Sequence, residues 1–172
     1  MKDILKYKNI PFHLCFGTAL GAIREQRFIP YDTDIDIAIF KKDIKNFNKL
    51  GNIITTNKKF KLKSKLPMNS KNIMEYSFIH KKTNVSIDIF LIIEKNNKYK
   101  FFTYYGLCNN KPNKRCEYTN SKYALNDIIF YGTKYKVPDK KFLEEHYGKD
   151  WRIPKKMSYW DGLNGGYKNL DN

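Results

Sequence analysis

Three aspartates occupy every second position of the run Tyr31–Ile37: Asp32, Asp34 and Asp36. Alternate residues of an extended strand share a face, so these carboxylates point one way and Ile35, Ile37 and Ile39 the other. Crowded carboxylates repel and lose hydration. A cation offsets both costs, and oxygen donors suit a hard divalent ion such as Mg2+ or Mn2+. A solvated edge strand or an acidic turn would carry the same D-x-D-x-D spacing, so the run alone does not decide. A further carboxylate, Asp88, interrupts the apolar stretch Val85-Ser-Ile-Asp-Ile-Phe-Leu91. An Asp there is rarely buried without a partner, and a metal shared with Asp34 and Asp36 accounts for both acidic strands. Asp32 is either a further ligand or a cap of the turn after Pro30.

Two features upstream fit phosphate chemistry. Gly17-Thr18 stands where an apolar strand turns into a helix. Glycine permits close backbone approach, and a helix N-terminus offers free N–H groups to a phosphate. Arg24, later in that helix, could grip a phosphate with its planar fork or form a surface salt bridge. Other candidates read more simply as structure. Arg27 and Lys155-Lys156 suit a solvated face, His13 a structural role, and His80 and His146, which lack ligand spacing, surface or packing roles. Tyr147 and Trp151 suit either stacking on a base or sugar, or the core.

The elements that must position these residues follow from apolar periodicity. The pattern predicts a short helix over 2–8, a strand over 12–16 and a helix over 18–25. A loop over 26–33 then leads to the carboxylate strand at 34–40. Ile44, Phe47 and Leu50 recur every third residue and predict a helix near 41–50 that stops at Gly51. Strands are expected at 59–65, 73–80, 85–93 and 98–105, with a turn over 67–72 and a hairpin at 81–84. The polar segment 106–126 has no clear assignment. Residues 128–137 read as a strand or hairpin, followed by a helix with Pro138 in its first turn, Asp139 at its positive end and Gly148 as its stop. The tail 157–172 reads as irregular. This order indicates an α/β (α+β) fold, a mixed sheet flanked by helices, in one compact domain over 1–172.

Bulk properties narrow the partners. With 33 Lys+Arg against 17 Asp+Glu, the net charge is +16, which favours nucleotides, phosphorylated lipids, nucleic acid or acidic glycans; the Lys-rich composition of an AT-rich genome would produce the same excess. Cys15, Cys108 and Cys116 make an odd count and point to a reducing, cytoplasmic setting. Cys108 and Cys116 share a loop without C-x-x-C spacing, which speaks against zinc. No stretch approaches the ~20 apolar residues that span a bilayer, and no signal-peptide core follows Met1, so a soluble chain is expected, with peripheral membrane contact left open.

Taken in order, Phe16-Gly17-Thr18, Asp34-Ile35-Asp36 and Asp88 resemble the signature of the nucleotidyltransferase superfamily. The block Phe16–Ile37 (FGTALGAIREQRFIPYDTDIDI) more specifically resembles the LicD/fukutin family, with its G-T/S-L-L-G-A-x-R and F-I-P-W-D-D-D-I-D stretches. Val85–Phe90 is similar to its V-D-I-F strand. Val137-Pro138, Leu143, Tyr147-Gly148, Trp151 and Pro154 are similar to its closing segment. Tyr31 and Thr33 depart from the pattern without touching Asp34 or Asp36. The resemblance implies a nucleotidyltransferase-like fold and metal-dependent transfer of a phosphorylated small alcohol, such as phosphocholine or ribitol phosphate. The donor would be CDP-linked and the acceptor a sugar hydroxyl of a glycan. It implies Asp34, Asp36 and Asp88 as metal and catalytic residues, Asp88 completing the metal site or acting as base. Gly17, Thr18 and Arg24 would bind phosphate. The chain is short for the family, so a reduced or absent acceptor-binding part is expected. Two other classes stay open: a nucleotidyltransferase acting on nucleic acid or a small-molecule hydroxyl, and a non-catalytic glycan or polyanion binding module.

Overall fold

Strand β5 (Ser86–Lys95) organises the molecule, because three neighbours share its length. Its first part pairs in parallel with β2 (Asp34–Phe40) on one side. On the other side it pairs antiparallel with β4 (Ile73–His80), and its last residues form a hairpin with β6 (Lys98–Tyr105). The sheet extends outward through β1 (His13–Leu14) beside β2, β3 (Phe60–Pro67) beside β4, and β7 (Lys114–Ser121) and β10 (Tyr167–Asn169) beyond β6. A separate hairpin joins β8 (Leu125–Phe130) to β9 (Thr133–Pro138). Among the described residues, four α-helices accompany these strands: α1 (Lys2–Tyr7), α2 (Phe16–Arg24), α3 (Leu50–Thr55) and α4 (Lys140–Tyr147). The computed structural model describes residues 1–67, 72–105, 114–155 and 167–169, without the side chains of 103–105, 114–116 and 167–169. The readings of Cys108, of the Cys116 side chain and of most of the tail 157–172 lie outside the described residues. No described helix is long and apolar enough to cross a membrane.

The mixed sheet follows from two kinds of strand sequence. β2 and β5 carry near-continuous apolar runs because both faces are covered there. One face holds Ile37, Ile39, Ile87, Ile89, Leu91, Tyr76 and Phe78, packed with Phe47, Leu50 and Ile54. The opposite face holds Ala38, Phe40 and Phe90, packed with Phe101, Tyr118, Tyr123, Phe142 and Leu143. Burying each such aliphatic or aromatic side chain contributes roughly 1.5–3 kcal/mol. Asp34, Asp36 and Asp88 continue this second face beyond its aromatic end, which is how an apolar core comes to border an acidic cluster.

Several local expectations are corrected. The segment after β2 forms two 3-10 turns, Lys41–Asp43 and Phe47–Lys49, and only then the short helix α3. Ile44, Phe47 and Leu50 are buried as their spacing implied, but a period of three suits 3-10 geometry better than α. Gly51 lies inside α3 and does not stop it. A Cβ there would come 2.9 Å from the Tyr76 ring, so the glycine serves helix–sheet packing. The first strand is shorter than its apolar run, because α2 already begins at Phe16. Pro138 ends β9; Asp139 is the N-cap of α4, accepting a hydrogen bond from the Phe142 amide. Gly148 closes that helix at φ +90°. The polar segment at 114–121 forms β7, and the Glu145 carboxylate of α4 accepts from the Ser121 amide at 2.9 Å.

Candidate active site

The parallel register of β2 on β5 places Asp36 directly beside Asp88, and Asp34 beside Ser86. Carboxylate oxygens of Asp34, Asp36 and Asp88 all lie within 4.8 Å of one another, with Asp36 the most enclosed. Two strands separated by the whole β3–β4 hairpin thus supply one cluster. Ser77 on β4 is the cross-strand neighbour of Asp88, and the Ser86 hydroxyl donates to Asp88 Oδ1 at 3.3 Å. Glu75, two residues from Ser77, adds its charge to the same face.

The start of α2 borders this cluster. Phe16 enters the helix at φ +42°, a conformation costly for a bulky side chain. Its ring is held by Phe90, Phe101, Phe142 and His146. That turn brings Gly17 and Thr18 against β2. A Cβ on Gly17 would collide with Asp32 Oδ2 and meet Asp36 Oδ2 at an ordinary 3.6 Å, so a side chain here would push the Asp32 carboxylate aside. Thr18 is buried, and its hydroxyl accepts a hydrogen bond from the Asp36 amide at 2.9 Å. Thr18 therefore ties the helix start to the middle ligand of the set.

Electrostatics record the crowding. Burial, and then the charges of Asp34, Asp88 and Asp32, push the Asp36 carboxyl well above the usual range. Burial raises Asp88 too; hydrogen bonds from Ser77 and Ser86 and the charge of Lys63 act in the opposite sense. Asp32 stands at the edge of the cluster, outside the set of three. It is pushed up to about 7 by burial and by a hydrogen bond with Asp34. A hard cation among these oxygens would reverse each penalty. The donor set contains oxygen alone, from three carboxylates on two rigid strands, and so fits a divalent ion of the Mg2+ or Mn2+ kind.

Arg24 lies at the far end of α2. Its guanidinium side chain is only 7% exposed and forms an ion pair with Glu25. Its Nη1 donates to the Trp151 carbonyl at 3.2 Å. The Tyr31 hydroxyl donates to the Lys155 carbonyl at 2.8 Å. These two bonds fasten the segment after α4 onto α2 and onto the loop that delivers Asp32 and Asp34. Tyr147 and Trp151 are buried in the aromatic core. His13 is also buried, sharing a hydrogen bond with the Tyr123 hydroxyl at 3.0 Å. His146 is enclosed by the rings of Phe142 and Tyr118. His80 bonds the Thr83 hydroxyl in the β4–β5 turn. Sequence reasoning missed Ser77, Glu75 and Lys63 at the site, because their strands show nothing beyond ordinary strand composition. Ser86, two residues before Asp88, shares its face by strand alternation.

Residues 9–155 match the family model described as LicD/FKTN/FKRP, nucleotidyltransferase domain. The chain is 32% identical over 164 residues to the ribitol-5-phosphate transferase FKTN of Macaca fascicularis, covering 88% of this chain and 32% of that protein. It is 31% identical over 164 residues to the Homo sapiens protein of the same name, with the same coverage of 88% and 32%. The chain thus spans about a third of the length of these curated relatives. Among solved structures, the lincomycin-bound lincosamide antibiotic adenylyltransferase LnuA is similar at a TM-score of 0.51, over 93% of this chain and 86% of that one. At 13% identity this likeness establishes the fold, that of a nucleotidyltransferase. With the matched model running from before β1 to beyond α4, across every element that builds the acidic cluster, the chain belongs to the LicD/FKTN/FKRP family.

Proposed function

We propose that the protein transfers a phosphorylated small alcohol, of the ribitol-phosphate or phosphocholine type, from a CDP-linked donor to a sugar hydroxyl of a glycan. The convergence of Asp34, Asp36 and Asp88 beside the helix start at Gly17-Thr18 carries this reading. The relatives named as ribitol-5-phosphate transferases support its substrate class. Asp34, Asp36 and Asp88 would hold Mg2+ or Mn2+, which when bound neutralises phosphate charge and polarises the phosphoryl group. In the transfer, the acceptor's hydroxyl oxygen bonds to the phosphorus on the alcohol side. The bond from that phosphorus to CMP breaks, and CMP departs with the electron pair. The hydroxyl proton passes to a carboxylate. Asp88 suits that task, with Ser77 and Ser86 orienting it.

Positioning and charge neutralisation carry most of such a reaction. Gly17 gives phosphate oxygens an approach to the amides at the start of α2, and Thr18 fixes Asp36 against them. Arg24 acts by fastening the segment after α4, since its guanidinium is committed to Glu25 and Trp151. The test is a screen of CDP-ribitol, CDP-choline and CDP-glycerol with Mg2+ or Mn2+, following CMP with and without a glycan acceptor. Acceptor-dependent CMP release is expected, and it should vanish in Asp34→Ala, Asp36→Ala and Asp88→Ala. Full activity in any one of these variants would refute the site. Pyrophosphate release from a nucleoside triphosphate would instead mark a nucleotidyltransferase. Salt-sensitive polyanion binding without any metal response would mark a binding module.

A further inference from the structure

The edge strand β3 is irregular at one point. Leu62 pairs with Phe78 and Ser64 with Ser77, so Lys63 is an extra residue opposite no partner on β4. A bulge of this kind bends a strand and re-aims a side chain, and bulges gather beside active sites. Here the Lys63 stem crosses β4, which lies between β3 and β5. Its ammonium reaches Ser86 on β5, with Nζ 3.3 Å from the Ser86 hydroxyl. That hydroxyl is itself bonded to Asp88. Leu62 shares the face of Phe78, that of the apolar core, so alternation puts Lys63 on the opposite face, that of Ser77 and Asp88, and the bulge adds it there beside Ser64. The fold thus delivers a lysine from the sheet edge to the rim of the carboxylate cluster.

We propose that Lys63 is a phosphate-binding residue of this site, contacting the diphosphate of a nucleotide donor from the β3–β4 side. The inference rests on the donor reading above. Its hydrogen-bond partner is a neutral hydroxyl, so its charge stays available to an anion. A long, exposed side chain on an edge strand can follow an incoming ligand, as the rigid Asp residues of the central strands cannot. A divalent ion held by three carboxylates leaves the cluster with net negative charge. A donor diphosphate would be repelled unless a further cation stood at the rim, and Lys63 occupies that place.

The test is calorimetric titration of the intact protein with CDP and with cytidine, both in Mg2+, for wild type, Lys63→Met and Lys63→Arg. Lys63→Met should weaken CDP binding about tenfold or more and leave cytidine binding unchanged. Lys63→Arg should recover most of the loss, because a cation is restored. Equal CDP affinity in wild type and Lys63→Met overturns the assignment while leaving the donor reading intact. A parallel loss for cytidine and CDP also overturns it, since that pattern marks a structural role. A wild-type protein that binds neither overturns the donor reading and the assignment together.

Discussion

Replacing Asp36 by Asn removes the most enclosed of three carboxylates whose oxygens lie within 4.8 Å of one another. Two ionised groups at that separation repel by about 3 kcal/mol at an effective dielectric constant of about 20. The metal-free protein relieves part of this by retaining protons, since the Asp36 and Asp88 carboxyls are both raised. A raised carboxyl contributes its stability below the unfolded value near 3.8 and loses it as pH rises through the folded value. At pH 8 the full cluster is therefore a burden. Asp36→Asn should raise metal-free stability by about 1–3 kcal/mol, or roughly 3–9 °C in melting temperature for a chain of this size. Divalent metal should reverse the order. Wild type at a hundredfold excess of metal over its Kd gains about 2.7 kcal/mol, and the Asn variant gains little. The assay is thermal melting at pH 8 in EDTA and in Mn2+ or Mg2+, and the expected signature is a crossing of the two proteins. A variant less stable than wild type in EDTA, or one that keeps the full metal shift, would refute the reasoning.

Gly17→Ala should lower CMP release while the protein stays folded, because the new methyl group displaces the Asp32 carboxylate and narrows the approach to the α2 amides; circular dichroism and the transfer assay together check this. Gly51→Ala should cost about 1–3 kcal/mol, read by urea unfolding, since Tyr76 stands 2.9 Å from the added Cβ and the overpacking outweighs any gain in helix propensity. Arg24→Met should lower stability by about 1–2 kcal/mol through the lost Glu25 and Trp151 bonds, with Glu25 keeping its pair with Arg27; a selective rise in donor KM without loss of stability would instead make Arg24 a phosphate ligand. Burial holds His13 neutral down to about 3 and His146 down to about 4. The unfolded chain protonates both near pH 6.5, so the contribution of these two histidines should be level above that pH and fall below it. His146 alone should account for about 3 kcal/mol by pH 4, and urea unfolding across pH 4–8 in His146→Phe should show a flatter fall.

Most of the strands and the members of the acidic cluster were legible because both rest on local patterns. Period-two alternation placed Asp34 and Asp36 on one face, and an Asp inside an apolar run marked Asp88 as partnered. Glycine and threonine at a strand-to-helix turn marked the start of α2. The region after β2 was misread because a repeat of three apolar residues serves an α-helix or 3-10 turns alike, and packing against Tyr76 decided the position of α3. Residues 114–121 carried no apolar alternation, so β7 emerged only from its pairing with β6.

The chain by itself determined which residues bear charge, which faces they share and, through its motif order, which family it joins. Only the tertiary structure decided that Asp36 lies beside Asp88. That depends on the parallel register of β2 on β5, and a slip of one residue would turn one strand's carboxylates to the opposite face. Only the structure showed Thr18 clamping Asp36, Phe16 in a left-handed turn with its ring among four others, and Lys63 reaching Ser86 from a bulge. Each of these arises from contacts between segments far apart in the chain, and no local spacing encodes such contacts.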